Sequence, residues 1–249
     1  MNQSKTKPSV DEAEVEKFNR LASQWWDPQG QMKPLHKFNP VRLAYLRDML
    51  IRHFERDPKA IQPFKGLTLL DIGCGGGLLS EPMARLGFSV TGIDPASNNV
   101  DVATVHAAKS GVTVTYRKVT AETLVAEHAA FDVVLAMEVV EHVPDVPDFV
   151  MAATSLVKPG GVFAAATINR TKRAFALAIV GAEYILRWLP VGTHSWDQFV
   201  TPEELADAIA AGGLKVFDRQ GVVYNPLVDR WSLARDMAVN YMLAAERKS

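Results

Sequence analysis

Two short stretches carry residues whose types and spacing suit chemistry. LLDIGCGGG (69–77) ends an apolar run in an acid, Asp71, and then places glycine at 73, 75, 76 and 77. FDVVLAMEVVEHVPD (131–145) ends another apolar run in two carboxylates and an imidazole, Glu138, Glu141 and His142, within five residues. Glycine accepts positive φ and has no Cβ, so the first stretch predicts a turn that something approaches closely. The second suits proton transfer, because imidazole titrates near neutral pH. It equally suits a hard or borderline divalent ion with positions left open for a substrate. An exposed helix start with no ligand is the plain alternative for the same run.

A third element narrows the choice. SVTGID ends in Asp94, 21 residues beyond Gly73. In an open parallel sheet a ligand sits beyond the carboxyl ends of the strands, and an acid at the second strand end can accept from both hydroxyls of a ribose. That predicts a nucleoside-containing cofactor, a description that NAD and S-adenosylmethionine both meet. Dinucleotide sites read G-x-G-x-x-G and set a pyrophosphate on a helix N-terminus. Here the third glycine of that fingerprint would fall at Leu78, and the pattern is D-x-G-x-G-x-G. This resembles the first motif of Rossmann-like methyltransferases, so S-adenosylmethionine is expected at Gly73, Gly75 and Asp94. In that fold the fourth strand ends beside the sulfonium, which would lay Met137 along the adenine or the methionyl chain; a core methionine is the plain alternative. Methyl transfer to oxygen also requires the hydroxyl to lose its proton, and a phenol with a pKa of about 10 is mostly neutral at pH 7. His142 as a base, or a divalent ion held by Glu138, Glu141 and His142, would answer that need.

Positioning these residues requires strands alternating with helices. Asp11 and Glu14 form a D-x-x-E capping signal for a helix over about 12–24, and Asn39-Pro40 reads as the N-cap and first residue of a second. Strands are expected at 67–73, 89–94, 112–119, 131–138 and 161–169, with helices at 77–86, 96–110 and 145–157 between them. TPEELADAIAAGG then predicts a capped helix, and LKVFDRQGVVY with VNYMLAAERK a closing strand pair. The expectation is α/β: a doubly wound Rossmann-like methyltransferase sheet, mostly parallel with an antiparallel last strand. Residues 1–10 are expected as a flexible tail, 11–60 as an N-terminal helical cap and 61–249 as the methyltransferase domain.

Bulk properties set outer bounds. At 249 residues and 48% apolar, the chain can bury a large core. Its 27 basic and 28 acidic residues leave a net charge of −1, which gives no electrostatic footprint for nucleic acid. The Asn/Asp-Pro-Pro-aromatic motif of nucleic-acid amino-methyltransferases is replaced by MEVVEH. The lone Cys74 excludes internal disulfides and suits a reducing cytoplasm. The amino-terminal stretch shows no signal or transit pattern, and no run reaches the roughly 18 apolar residues of a spanning helix.

GAEYILRWLPVGTH (181–194), KPLHKFNPVRL (33–43), ASQWWD (22–27), MEVVEHVPD (137–145) and NYML (240–243) together resemble one family, the ubiquinone biosynthesis O-methyltransferases, over nearly the whole chain from about residue 11. The resemblance implies two O-methylations, on a polyprenyl catechol and on demethylubiquinol. Each uses S-adenosylmethionine. It matches Gly73, Asp94 and Met137 to cofactor positions and adds Arg42, expected at the methionyl carboxylate. It implies Mg²⁺ or another divalent ion at Glu138, Glu141 and His142, and possible association with other enzymes of ubiquinone biosynthesis. Trp25 and Trp26 would either close over the site or anchor the cap. Residues 171–195 read as an inserted amphipathic segment. Phe175, Ile179, Ala182, Leu186 and Leu189 form an apolar stripe behind Lys172 and Arg173. That suits a helix lying in a membrane interface, hence a cytoplasmic protein peripheral to the inner face, or else a lid on the core. A methyltransferase for another lipid or metabolite, and a non-catalytic binding subunit, are the competing readings; intact Gly73, Gly75 and Asp94 speak against the latter.

Overall fold

The computed structural model describes residues 10–176 and 196–249. The tail expected at 1–10 and the amphipathic reading of 171–195 therefore lie almost wholly outside the described residues.

Five strands run parallel at the centre: β1 (Thr68–Ile72), β2 (Ser89–Ile93), β3 (Thr115–Arg117), β4 (Phe131–Met137) and β5 (Val157–Ile168). They are completed by β6 (Lys215–Asn225), β7 (Arg230–Ala234) and β8 (Asn240–Glu246). The order is β3-β2-β1-β4-β5-β8-β6-β7, with β8 antiparallel to both β5 and β6, and β7 antiparallel to β6. The sequence turns outward in both directions from β1 and β4, so their carboxyl ends form the switch point where a crevice opens.

The central strands are buried on both faces, which is why they read as continuous apolar runs and not as alternation. Successive side chains serve opposite cores. Leu70, Val134, Ala136, Phe163 and Leu243 face the layer holding Phe149, Val150, Leu205 and Ile209. Leu69, Val133, Leu135, Ala164 and Met242 face the layer holding Phe38, Leu46, Met49 and Met83. The first layer is built by α5 (Ala121–Ala126), α6 (Val146–Ser155) and α8 (Pro202–Ala211). The second is built by α2 (Lys33–His53) and α3 (Ser80–Arg85). The expected cap thus divides: α1 (Glu12–Leu21) contributes no buried residue of its own, whereas α2 covers half of one sheet face. The remaining helices are α4 (Ser97–Lys109) and the short α7 (Lys172–Ala174).

Two local expectations are corrected, and two elements went unforeseen. Asn39-Pro40 does not open α2, which starts about two turns earlier, at Lys33, with Pro34 in its first turn, and holds Pro40 inside. Asn39 spends its side chain on tertiary bonds, donating to the Leu78 carbonyl at 2.7 Å and accepting from Arg42 at 3.2 Å. β5 begins at Val157, not 161, because a register shift against β4 between Phe131 and Val133 carries the Pro159–Gly160 corner within the strand. β7 and α5 escaped prediction, since each is short and neither has a periodic apolar run long enough to register. No helix among the described residues is long and apolar enough to cross a membrane.

At α8, Thr201 and Glu204 form a reciprocal capping box: Thr201 Oγ1 accepts from the Glu204 amide at 3.2 Å, and Glu204 Oε2 accepts from the Thr201 amide at 2.9 Å. Thr201→Ala is expected to remove about 1 kcal/mol of stability. For a chain of this size that is a fall of roughly 2–4 °C in melting temperature, with activity unchanged; a scanning-calorimetry trace with no shift would refute the role assigned to the cap.

Candidate active site

The turn after β1 is left-handed at Gly73 (φ 68°), Gly75 (φ 52°) and Gly77 (φ 88°). It is held by its own amides: those of Gly73 and Cys74 both donate to the Ile93 carbonyl, at 2.8 and 3.0 Å. The Gly75 amide donates to Asp94 Oδ2 at 3.0 Å, and the Ala96 amide to Asp94 Oδ1 at 2.8 Å. Glycine loop and acid are therefore one hydrogen-bonded unit. Asp94 also accepts from the Asn99 side chain, so three protein donors hold it at the end of β2 facing the cavity.

The reason for the glycines is partly different from the one expected. A Cβ at Gly75 or Gly76 would lie 2.3 Å from Trp25, and one at Gly77 would lie 2.2 Å from the Tyr116 hydroxyl. The closest approach to this loop is by the protein's own side chains. Trp25 donates its indole N–H to Asn99 at 2.8 Å, and Trp26 donates to the Gly76 carbonyl at 2.8 Å. Trp26 also stacks on His106, ring centres 3.4 Å apart, and His106 is paired with buried Glu81 at 2.6 Å. Trp25 both anchors the cap and lines the site; Trp26 anchors.

Beyond the carboxyl ends of β1, β2 and β4 lies a cavity of about 570 Å³. Asp71, Gly73, Asp94, Met137, Glu138, Glu141 and His142 line it from the sheet side, Glu14 and Phe18 from α1, and Phe38 and Arg42 from α2. Of the residues expected from sequence, Arg42, Gly73, Asp94, Met137, Glu138, Glu141 and His142 thus come to one cavity. Gly75 does not line it and acts through Asp94.

The electrostatics are those of acids crowded around one cation. Arg42 is 4% exposed. Burial lowers its pKa, against the charges of Glu138, Asp71 and Glu141, which support its protonated form. Burial pushes the Asp71 carboxyl up to about 6, opposed by its hydrogen bond from Ser80 and by the Arg42 charge. Burial and then the Glu141 charge raise Glu138 to about 7. Asp94 is likewise raised by burial, and the amides of Ala96 and Gly75 restrain the rise. Glu138 also sits in the left-handed region (φ 60°), a conformation non-glycine residues rarely hold without a surrounding structure that imposes it. Arg42 Nε, Glu138 Oε1 and Glu141 Oε1 are buried without a protein partner. Such atoms fit a ligand that carries a carboxylate, an amine and hydroxyls, as S-adenosylmethionine does.

The residues fit a metal less well. Among the described residues no group of three His, Cys, Asp or Glu side chains could hold a metal ion. Glu141 Oε2 accepts from the Thr167 hydroxyl at 2.8 Å, and His142 Nδ1 lies 2.9 Å from Glu14 Oε2. Glu138, Glu141 and His142 share the cavity wall without converging on one point.

Glu14 was legible only as part of a capping signal. Asp11 does cap α1, accepting from the Ala13 amide at 2.8 Å, but Glu14 turns away to His142. That bond holds its carboxyl down at about 2, against burial. Asn99, Tyr224 and Trp231, also at the site, carry no sequence signal because their elements meet the cavity only through tertiary packing.

A methyltransferase domain family model matches residues 35–218. A ubiquinone biosynthesis O-methyltransferase of Methylobacterium sp. (strain 4-46) is 62% identical over 97% of each chain. One from Brucella anthropi is 58% identical over 96% of each chain. Among solved structures, the magnesium protoporphyrin IX methyltransferase of Synechocystis PCC 6803 with bound S-adenosylhomocysteine superposes with a TM-score of 0.67 at 17% identity, covering 94% of this chain and 95% of that one. A possible histamine N-methyltransferase of Thermotoga maritima gives 0.58 at 19% identity, covering 94% and 99%. At these identities the solved structures show the shared fold alone.

Two expectations follow from the geometry. Gly75→Ala should destabilise through a left-handed alanine, which costs about 1–2 kcal/mol, and through the clash with Trp25. Trp25→Ala should then cost less in that background than alone, a coupling of roughly 1 kcal/mol or more in urea unfolding; strict additivity would refute the contact. Asp71 binds its proton more tightly folded than unfolded, so its contribution to stability is full below about pH 4 and is lost as pH rises through about 6. Asp71→Asn should therefore gain on the native chain, by up to a few kcal/mol, between pH 4 and pH 7. A constant difference across that range in denaturant midpoints would contradict this.

Proposed function

As a member of the ubiquinone biosynthesis O-methyltransferase family, to which its relatives and its methyltransferase domain assign it, the chain is an S-adenosylmethionine-dependent O-methyltransferase, and we propose how its cavity performs that reaction. The acceptor is a polyprenylated catechol or quinol, and the cofactor supplies an electrophilic methyl group on a sulfonium. Asp94 takes the ribose hydroxyls, Met137 lies against the apolar part of the cofactor, and Arg42 holds the methionyl carboxylate. Gly73 gives the turn its left-handed form, and Gly75 orients Asp94 through its amide.

What the chain must add is removal of the acceptor's proton. His142 is the base in this reading. Glu14 can only accept at Nδ1, so the neutral imidazole carries its proton there and its lone pair on Nε2. The carboxylate also supports the imidazolium formed when the phenolic proton is taken. The buried acids have a second consequence: an imidazolium or a sulfonium in this cavity meets Glu138, Glu141 and Asp71, with Arg42 as the countercharge. The observation that carries the reading is the hydrogen-bonded loop–acid unit lining one cavity with Arg42 and His142.

Methyl transfer from labelled S-adenosylmethionine to a short-chain demethylubiquinol tests it. Arg42→Ala should weaken S-adenosylhomocysteine binding roughly 10- to 100-fold, the loss of one charge-assisted bond. His142→Ala should lower kcat roughly 10²- to 10⁴-fold with that binding intact. Turnover is expected to survive chelator. Loss on chelation with recovery on added Mg²⁺ would instead give Glu138, Glu141 and His142 to a metal. No product with S-adenosylhomocysteine still bound would remove the acceptor from the reading and leave the cofactor.

A further inference from the structure

One wall of the cavity is aromatic, and Trp231 in it comes from β7, a strand the sequence did not reveal. The β6–β7 hairpin brings Tyr224, Pro226 and Trp231 against Phe38 of α2, and all four line the cavity. Phe38 stacks on Trp231 with ring centres 4.8 Å apart and planes 27° apart, and Tyr224 meets Trp231 at 5.2 Å. At the inner end the Arg42 guanidinium lies 4.8 Å over the Phe38 ring, so the aromatic wall begins beside the charged cluster. Pro226, at the hairpin turn, is followed by Leu227 and Val228, which are 93% and 65% exposed. The hairpin is fixed to α2 by an ion pair between Lys37 and Asp229, and Tyr224 donates to the same carboxylate at 2.5 Å. The indole nitrogen of Trp231 is buried without a protein partner.

Two large apolar side chains left in water next in the chain to an aromatic cavity wall call for an occupant that is itself apolar and long. Its reactive head must reach the acids at the inner end, while its body lies along rings that stack at low entropic cost. We propose that the wall between α2 and the β6–β7 hairpin is the subsite for the isoprenoid tail of the acceptor, with Trp231 as its specificity-determining residue and Leu227–Val228 marking its open end. This rests on the reading of the acceptor as a prenylated quinol. The tail packs on Phe38, Tyr224 and Trp231, while the ring lies beyond them at the charged cluster.

The test separates the tail from the ring and from turnover. Farnesol, an isoprenoid alcohol with no methylatable phenol, should bind the wild-type enzyme in isothermal titration and lose roughly tenfold or more in affinity in Trp231→Ala. Trp231→Phe, which keeps an aromatic wall, should recover most of it. S-Adenosylhomocysteine should bind all three proteins alike, which verifies the fold of the variants. In methyl transfer, Trp231→Ala should raise KM for a tri-isoprenyl demethylubiquinol by the same factor and leave KM for the tail-less quinol unchanged. Absence of farnesol binding to the wild type, or an equal rise in KM for both acceptors, would overturn the subsite while the methyltransferase stands. Farnesol bound at Trp231 with neither quinol methylated would overturn the acceptor's identity and keep the tail subsite.

Discussion

The hydrogen bond from the Gly75 amide to Asp94 is the constraint on which the rest of the site depends. It exists because β1 and β2 are parallel neighbours in register, so their carboxyl ends, Ile72 and Ile93, finish side by side. The turn that leaves β1 must then reverse within a few residues, and only left-handed backbone at Gly73, Gly75 and Gly77 allows it. Because Gly75 and Gly76 have no Cβ, Trp25 can lie on the loop, and through Trp25 and Trp26 the N-terminal cap is drawn onto the same turn. α1 comes with it and delivers Glu14 to His142. One tight turn thereby sets the acid, the cap and the orientation of the imidazole.

Charge imposes the second constraint. Arg42 is buried among Asp71, Glu138 and Glu141, and one cation cannot neutralise three carboxylates removed from water. The result is that Asp71 and Glu138 hold their protons up to about pH 6 and about pH 7. Burying such groups destabilises a fold, and together with the left-handed backbone of Glu138 it marks this region as shaped for a ligand and not for stability. A sulfonium cofactor is well matched to surroundings that carry surplus negative charge.

Legibility followed the range of the interactions. The central strands, buried on both faces, could be read from apolar runs within a residue or two at β1, β2 and β4. The nucleotide acid Asp94 could be read because its distance from the glycine turn is set by one βαβ unit. Errors arose where a local signal lost to tertiary demand. Asn39-Pro40 has the chemistry of a helix start, but Pro34 had already supplied one and Asn39 is needed at Leu78 and Arg42. Glu14 has the spacing of a capping box, but its carboxylate turns to the His142 imidazole instead of the cap amide. The exposed edge strand β7 has no apolar periodicity to detect, and so Trp231 gave no sign of facing a cavity.

Sequence alone determined the doubly wound class, the glycine turn with its acid, the cluster at the end of the fourth strand and the family. These are encoded in contacts a few residues long or one crossover apart, where spacing is equivalent to geometry. Tertiary structure alone decided what the glycines make room for, which partner Glu14 takes, that Glu138, Glu141 and His142 share a wall without gathering at a point, and that a late hairpin lines the cavity. Trp26–Gly76, Glu14–His142 and Lys37–Asp229 join residues 50, 128 and 192 positions apart. No local pattern records such pairings, because they form only when burying both sheet faces brings distant elements together.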